Sequence, residues 1–322
     1  MRVLVTAAGA GPGVAIIKAI RRMGGFVVGV DGREQASGLY LADAHATVPM
    51  ARDPEYIPTL IALCKEHDLG MIVPILDVET PHVARARETL AAQGIHAAVN
   101  PLEALELSND KVRSYETCAA AGIGQPERFD SPADAPADAF PLIGKPFRGV
   151  GARGIVELAS KSDAVPDDGE PRLWQRFISG DEFSIDTWGD PDTDRFVAVP
   201  RHRREVRAGQ MVQGHTRDDA DLLDFARRAC AAFGIVDVAC VQVIRDATGA
   251  LHFVEMNPRY GTGVSLSIAA GIEFPRLQWL AHRDPDAITP DMLRFRAGVE
   301  MLRYWEEVYR APDGRPFGRD VP

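Results

Sequence analysis

Cysteine is scarce: the 322 residues hold four, Cys64, Cys118, Cys230 and Cys240, with no C-x-x-C pair and no histidine at ligand spacing. That argues against a disulfide framework or a cysteine-built zinc centre, and it fits a reducing compartment. A basic surplus is missing too. Lys and Arg number 36 against 46 Asp and Glu, a formal charge of −10. Generic binding to nucleic acid or to an anionic membrane demands a positive surface, so neither partner is expected. No stretch is apolar for long enough to span a bilayer. Gly9, Gly11, Pro12 and Gly13 interrupt Met1 to Ile20 before a secretory core forms, so a cytoplasmic location is expected. Internal repeats and low-complexity tracts are absent as well. What is present, 46% apolar and 25% charged residues, is the balance of an ordinary folded protein, long enough for two or three lobes.

The chain opens as strand, turn, helix, strand: Val3 to Val5, a glycine-rich turn from Gly9 to Gly13, helical spacing from Val14 to Met23, and a second strand from Phe26 ending at Asp31,. A helix from Asp53 to His67, a strand from Met71 to Leu76, a helix from Pro81 to Gln93 and a strand from Ile95 to Val99 complete an α/β lobe with a parallel sheet. Asn100-Pro101 breaks this pattern. A short helix follows, then Ser108-Asn109-Asp110-Lys111 reads as the cap of a helix reaching Ala121,. Pro141 to Pro146 and Gly154 to Leu158 read as strands around a glycine-rich turn, between solvated loops at Asp130 to Asp138 and Ser162 to Pro171. From Leu173 the period is mostly two, with strands at Leu173 to Ile178, Glu182 to Trp188, Arg195 to Pro200, Val236 to Arg245 and Leu251 to Met256, and one helix from Asp218 to Phe233,. That half is α+β with an antiparallel sheet. The expected domains are 1–107, 108–172 and 173–322.

Chemistry concentrates on the last hairpin. A two-residue turn at Thr248-Gly249 would set Gln242 opposite Glu255, and strand alternation brings Asn257 to the same face. Opposed side chains have Cβ atoms about 5 Å apart, so three oxygens there suit one or two magnesium ions with sites left for phosphate. Ordinary solvent-facing polar residues are the bland alternative, but valines flank Gln242 and Glu255 sits within Phe-Val-Glu-Met. Arg259 follows at once, placed to hold a transferred phosphoryl group.

Glu255-Met256-Asn257-Pro258-Arg259, with Gln242 one strand earlier, resembles the metal and phosphate motif of ATP-grasp enzymes, nearest the branch of the carbamoyl phosphate synthase large chain. The resemblance implies magnesium ligands at Gln242, Glu255 and Asn257, with manganese as a substitute, and a phosphate contact at Arg259. The run from Lys145 through Gly149, Gly151, Ala152, Arg153 and Gly154 is similar to the family's phosphate-covering loop, with Arg153 where the family often has Ser or Lys. Lys111 and Lys145 match its ATP-contacting cations. Gln175, Arg176, Phe177 and Ile178 resemble the hinge that meets adenine, and Glu182 the carboxylate that accepts from ribose hydroxyls. The implied fold is ATP-grasp: a leading parallel-sheet domain, a small ATP lobe and a larger lobe with the metals. The implied activity is phosphoryl transfer from magnesium ATP to a carboxylate, then attack by an amine on the acyl phosphate. Small-molecule carboxylate and amine substrates are the expected partners, and dimers are common in the family.

Arg201, Arg203, Arg204 and Arg207 make the densest basic cluster. A solvated loop is the plain reading, yet holding several negative charges together calls for cations, and Arg201 and Arg204 are the chosen candidates. Asp77 and Glu79 fall where parallel sheets bind ligands, to hold a substrate amine or to cap a helix. Three rival functions stand beside the ligase: a nicotinamide-dependent oxidoreductase using Gly9 to Gly13 and Asp31, a non-catalytic nucleotide sensor, and an ATP-grasp enzyme with a non-amine acceptor. The glycine spacing does not fit G-x-G-x-x-G, which counts against the first.

Overall fold

A computed structural model describes residues 1–147, 154–166, 168–312 and 316–317. The first unit runs β1 (Arg2–Val5), α1 (Gly11–Arg22), β2 (Phe26–Asp31), β3 (Ala44–Thr47), α2 (Tyr56–Glu66), β4 (Met71–Val73), α3 (Thr80–Arg85), α4 (Arg87–Ala91) and β5 (His96–Ala97). Its strands form one parallel sheet in the order β3-β2-β1-β4-β5. Strand order reverses between β1 and β4, so their carboxyl ends open a crevice. The expected helix from Pro81 to Gln93 is two short helices, and β3, whose sequence Ala-His-Ala-Thr lacks a large apolar residue, is an edge strand that alternation did not reveal.

Gly9 to Gly13 is a tight strand-to-helix turn. A Cβ at Gly13 would meet the Ala7 carbonyl oxygen at 2.5 Å, so only glycine fits,. Asp31 spends both carboxylate oxygens on turn amides, Oδ2 accepting from Gly9 N and Oδ1 from Arg33 N, each at 3.0 Å. The carboxylate thus braces the turn and, at 8% exposure, presents little surface to a ligand.

Helices α5 (Leu102–Asn109) and α6 (Lys111–Ala120) follow; Asp110 caps α6 by accepting from Arg113 N. Strands β6 (Arg128–Phe129), β7 (Leu142–Pro146), β8 (Val156–Leu158) and β9 (Arg172–Arg176) make an antiparallel sheet ordered β6-β9-β7-β8. The second antiparallel sheet holds β10 (Gly180–Gly189), β11 (Phe196–Arg207), β12 (Gln210–Thr216), β13 (Ala239–Asp246), β14 (Leu251–Asn257) and β15 (Glu300–Leu302) in the order β14-β13-β10-β11-β12-β15. Between these strands come α7 (Ala220–Phe233), α8 (Val264–Ala269) and α9 (Phe274–Arg283). The arginine-rich stretch 201–207, expected as a loop, is the second half of β11, and β12 pairs with it.

Phe183, Ile185, Val241, Val243, Phe253 and Met256 bury one face of the six-stranded sheet against α6 and α7, in a core that includes Tyr115, Phe225 and Phe233. Trp188, Val197 and Val199 belong to a second core on the opposite face, shared with α1, α9 and the parallel sheet. That second face is apolar only at one end. Its other end is polar and lies beside the carboxyl ends of β1 and β4.

Candidate active site

The β13–β14 ladder sets the site. Its outer part pairs Val243 with Phe253 and Arg245 with Leu251, around a three-residue loop whose Gly249 has φ +91°. The expected turn of two residues is therefore corrected to three. In that register Gln242 would face Val254 and Glu255 would point into the core. A β-bulge at Val254 absorbs the difference, and from there Gln242 pairs with Glu255 and Cys240 with Asn257,. Turn and bulge are each one residue away from the simple hairpin, and the two offsets cancel. The bulged carbonyl is held from outside, Val254 O accepting from the Tyr115 hydroxyl of α6 at 2.9 Å.

Across the sheet the same row continues through Ser184 to Arg201, because Gln242 pairs with Ser184 and Ser184 with Arg201. Glu255 is exposed; Asn257 is half-buried and donates from Nδ2 to Glu255 Oε1 at 2.8 Å. Glu255, Gln242 and Asn257 thus offer one carboxylate and two amide oxygens on one face. Magnesium favours such hard oxygens and takes its remaining positions from water and phosphate, so the donor set fits that ion. Among the described residues no three His, Cys, Asp or Glu side chains group as a metal site; here two of the three candidate donors are amides.

Two lysines approach from the neighbouring elements. Lys145 of β7 donates to the Tyr115 hydroxyl at 3.5 Å, which ties it to the bulge. Lys111 starts α6; burial draws its pKa below the usual lysine range, the Glu255 carboxylate opposes that shift and the Lys145 charge adds to it. Lys111 is therefore within electrostatic reach of both Glu255 and Lys145. Gly149, Gly151, Ala152 and Arg153 lie outside the described residues; Gly154, at φ +71°, is the first residue after them.

On β9 Gln175 is 0% exposed, and neither its Oε1 nor its Nε2 has a hydrogen-bond partner. It shares a face with Leu173, and hence with Lys145, which pairs with Leu173,. Leu173 packs in the core of the six-stranded sheet, so this face looks into the cleft between the two sheets. Arg176 is engaged away from it, donating to Glu127 Oε2 at 2.9 Å and to Asp138 O at 2.6 Å. The Phe177 amide donates to Pro141 O at 2.9 Å, Phe177 itself is partly exposed and Ile178 half-buried. Glu182, half-exposed, has Oε2 3.3 Å from Arg203 Nε.

The arginines divide sharply. Arg201 is 1% exposed, sealed in an ion pair with Asp186 at 2.7 Å whose other oxygen accepts from Ser267 Oγ at 2.7 Å. Its charge is balanced within the protein by Asp186, while its buried Nε has no hydrogen-bond partner. Arg204 points the other way and pairs with Glu300 at 2.8 Å on the exposed surface, and Arg207 pairs with Glu205. Arg203 is the member of the cluster that lines the cleft, donating to Ser184 Oγ at 3.2 Å beside Glu182. Alternation carries the signal: 201 and 203 share the face of Gln242 and 204 does not, once β11 is known to be a strand.

Arg259 is held from the parallel-sheet side. Its Nε and Nη2 donate to the two oxygens of Asp77 at 2.9 and 2.8 Å, Nη2 also to Asn257 Oδ1 at 3.0 Å, and Nη1 to Tyr260 O at 3.0 Å. Asp77 is thus no helix cap. Glu79, by contrast, is buried and accepts from Thr6 Oγ1 at 2.7 Å and from the Leu76 amide at 3.1 Å, and burial raises its pKa.

Two antiparallel sheets facing one another across a cleft lined with lysines and a carboxylate, behind a parallel-sheet unit, constitute the ATP-grasp fold. Comparison makes this particular: residues 108–263 match the ATP-grasp domain family, and residues 3–98 match the PylC-like N-terminal domain. A D-alanine–D-alanine ligase from Pseudomonas fluorescens (strain Pf0-1) is 27% identical over 215 residues, 58% of this chain and 66% of that ligase. The match thus spans slightly less than two thirds of that relative's length. Among solved structures, biotin carboxylase from Campylobacter jejuni is similar with a TM-score of 0.69 and 19% identity, covering 91% of this chain and 73% of that one. An L-amino acid ligase from Bacillus licheniformis gives 0.69 and 18%, covering 91% and 77%. At such identities these two likenesses establish the fold alone.

Proposed function

We propose that the protein is an ATP-dependent ligase that converts a carboxylate to an acyl phosphate and couples it to an amine, releasing ADP and phosphate. One observation carries the reading: Gln242, Glu255 and Asn257 share a sheet face, with Lys111 in electrostatic reach of Glu255 and Lys145 joined through the Tyr115 hydroxyl to the bulge beside it. An anionic tail with a bound cation is what such a mixed-charge cleft suits. The nucleotide-binding names and ligase titles among the similar proteins agree with it.

In this proposal Glu255, Gln242 and Asn257 hold magnesium, which neutralises the triphosphate and screens the approach of one anion to another. Lys111 and Lys145 bind phosphoryl oxygens, Arg203 supplies a cation on the carboxylate side, and Gln175 and Glu182 meet the nucleobase and ribose. No side chain need act as a covalent nucleophile; positioning and charge neutralisation carry the chemistry. The crevice at the ends of β1 and β4 gives the substrates their entry.

The test is a screen of carboxylate and amine pairs for substrate-dependent ADP release, with hydroxyl and thiol acceptors in parallel. Glu255→Gln is expected to lower that rate on the order of 10²-fold or more. ADP release with no pair would argue against a ligase, and an undiminished Glu255→Gln would remove the metal assignment.

A further inference from the structure

Asp77, in the parallel-sheet unit, reaches the metal edge through a continuous line of hydrogen bonds. From Asp77 the line runs by a bidentate fork to Arg259, from Arg259 Nη2 to Asn257 Oδ1, and from Asn257 Nδ2 to Glu255 Oε1. The fork joins residues 182 positions apart, and both partners are mostly shielded from water, with side chains 18% and 22% exposed. A bidentate guanidinium–carboxylate pair is directional as well as strong. The fork and the bonds to Asn257 and Tyr260 use four of the five N–H groups of Arg259,. Arg259 therefore has one N–H to spare for a ligand, and its main engagement is with its neighbours.

We infer that Asp77 is a positioning residue for the metal edge: by fixing Arg259 it fixes the amide plane of Asn257, and through Asn257 the carboxylate of Glu255. The inference rests on the assignment of those residues as cation ligands under the proposed function. It makes assembly of the cation site depend on the docking of the parallel-sheet unit, since Asp77 lies just beyond β4 while the ligands lie on β13 and β14. Partners of this kind, behind the ligands themselves, commonly account for 10 to 100-fold in metal affinity. An ion pair that merely glued two units together would change stability and leave cation affinity alone.

The test uses the full chain and Mn2+ as the probe, titrated at saturating ADP and read by the electron paramagnetic resonance of free Mn2+. ADP affinity without metal and thermal melting are measured alongside. Asp77→Asn is expected to weaken Mn2+ binding by about tenfold while metal-free ADP affinity holds, and Asp77→Glu to recover part of the loss. Arg259→Lys, which keeps the charge and loses the fork, should show the same loss. The double variant should lose no more than either single one, because the two residues act in series. If Asp77→Asn and Arg259→Lys melt earlier yet bind Mn2+ as the parent does, the pair is only a docking contact and the inference fails. Additive losses would overturn it as well. Failure of the parent itself to bind Mn2+ with ADP would instead overturn the underlying site assignment, and that outcome is visible before any variant is made.

Discussion

Gln175 has its whole carboxamide shut away from water with no partner for either end. Each buried polar group left unpaired costs about 1–3 kcal/mol, so this side chain is a poor choice for a free-standing sheet. It becomes a sound one if a ligand offers a donor and an acceptor at the edge of a flat ring. Gln175→Met keeps the volume and removes both polar atoms. The variant is expected to melt at a higher temperature than the parent without nucleotide and to bind ADP about tenfold more weakly, a loss of about 1.4 kcal/mol. Scanning fluorimetry with and without ADP reads both effects. Unchanged ADP affinity would place Gln175 outside the nucleotide site.

Among the elements, the β13–β14 hairpin decides whether the site exists, and its bulge is secured by one hydroxyl. Tyr115 donates to Val254 O at 2.9 Å and accepts from Lys145 at 3.5 Å, so Tyr115→Phe cuts both at once. It should cost about 0.5–1.5 kcal/mol of stability and weaken ATP binding, since the bulge and Lys145 lose a common support. Urea unfolding and nucleotide titration separate the two; equal affinity would mean the bulge holds itself. The pairing of Gln242 with Glu255 was legible in the sequence because alternation constrains a hairpin even when the loop length is misjudged. The basic half of β11 and all of β12 were not. Arg201 to Arg207 and Gln210 to Thr216 carry little apolar alternation, because their polar face lines the cleft or a buried ion pair rather than a core. For the same reason the roles of individual arginines escaped: only the partner, Asp186 for Arg201 and Glu300 for Arg204, distinguishes them. The parallel-sheet unit, with β-branched runs at β1 and β2 and helical spacing between, was the easiest part to read.

On the scale of the whole molecule, the parallel-sheet unit is tied to the larger sheet by Asn100, whose amide accepts from Val236 N and Asp237 N and donates to Val238 O and Pro258 O. Two titratable groups sit along the same junction. His96 of β5 stacks on His282 of α9, ring centres 4.3 Å apart. Burial, followed by the charges of His282, Arg87 and Arg283, pushes the His96 pKa from 6.5 down to about 4. Asp237, hydrogen-bonded to Gln278, is pushed by burial from 3.8 up to about 6. The signs are opposite. Between pH 6.5 and 4 the unfolded chain binds a proton at His96 that the folded protein refuses, so this group lowers stability as pH falls. Between pH 3.8 and 6 the folded protein keeps a proton on Asp237 that the unfolded chain releases, so this group lowers stability as pH rises. In the shared window the two slopes oppose one another, and each should emerge when the other is removed. Relative to the parent, His96→Gln is expected to gain stability as pH is lowered from 6.5 to 4, and Asp237→Asn to gain it as pH is raised from 4 to 6. Urea midpoints at pH 4.5, 5.5 and 6.5 measure the differences. A His96→Gln difference that stays constant across them would mean that its ring titrates normally and that the junction is open to water.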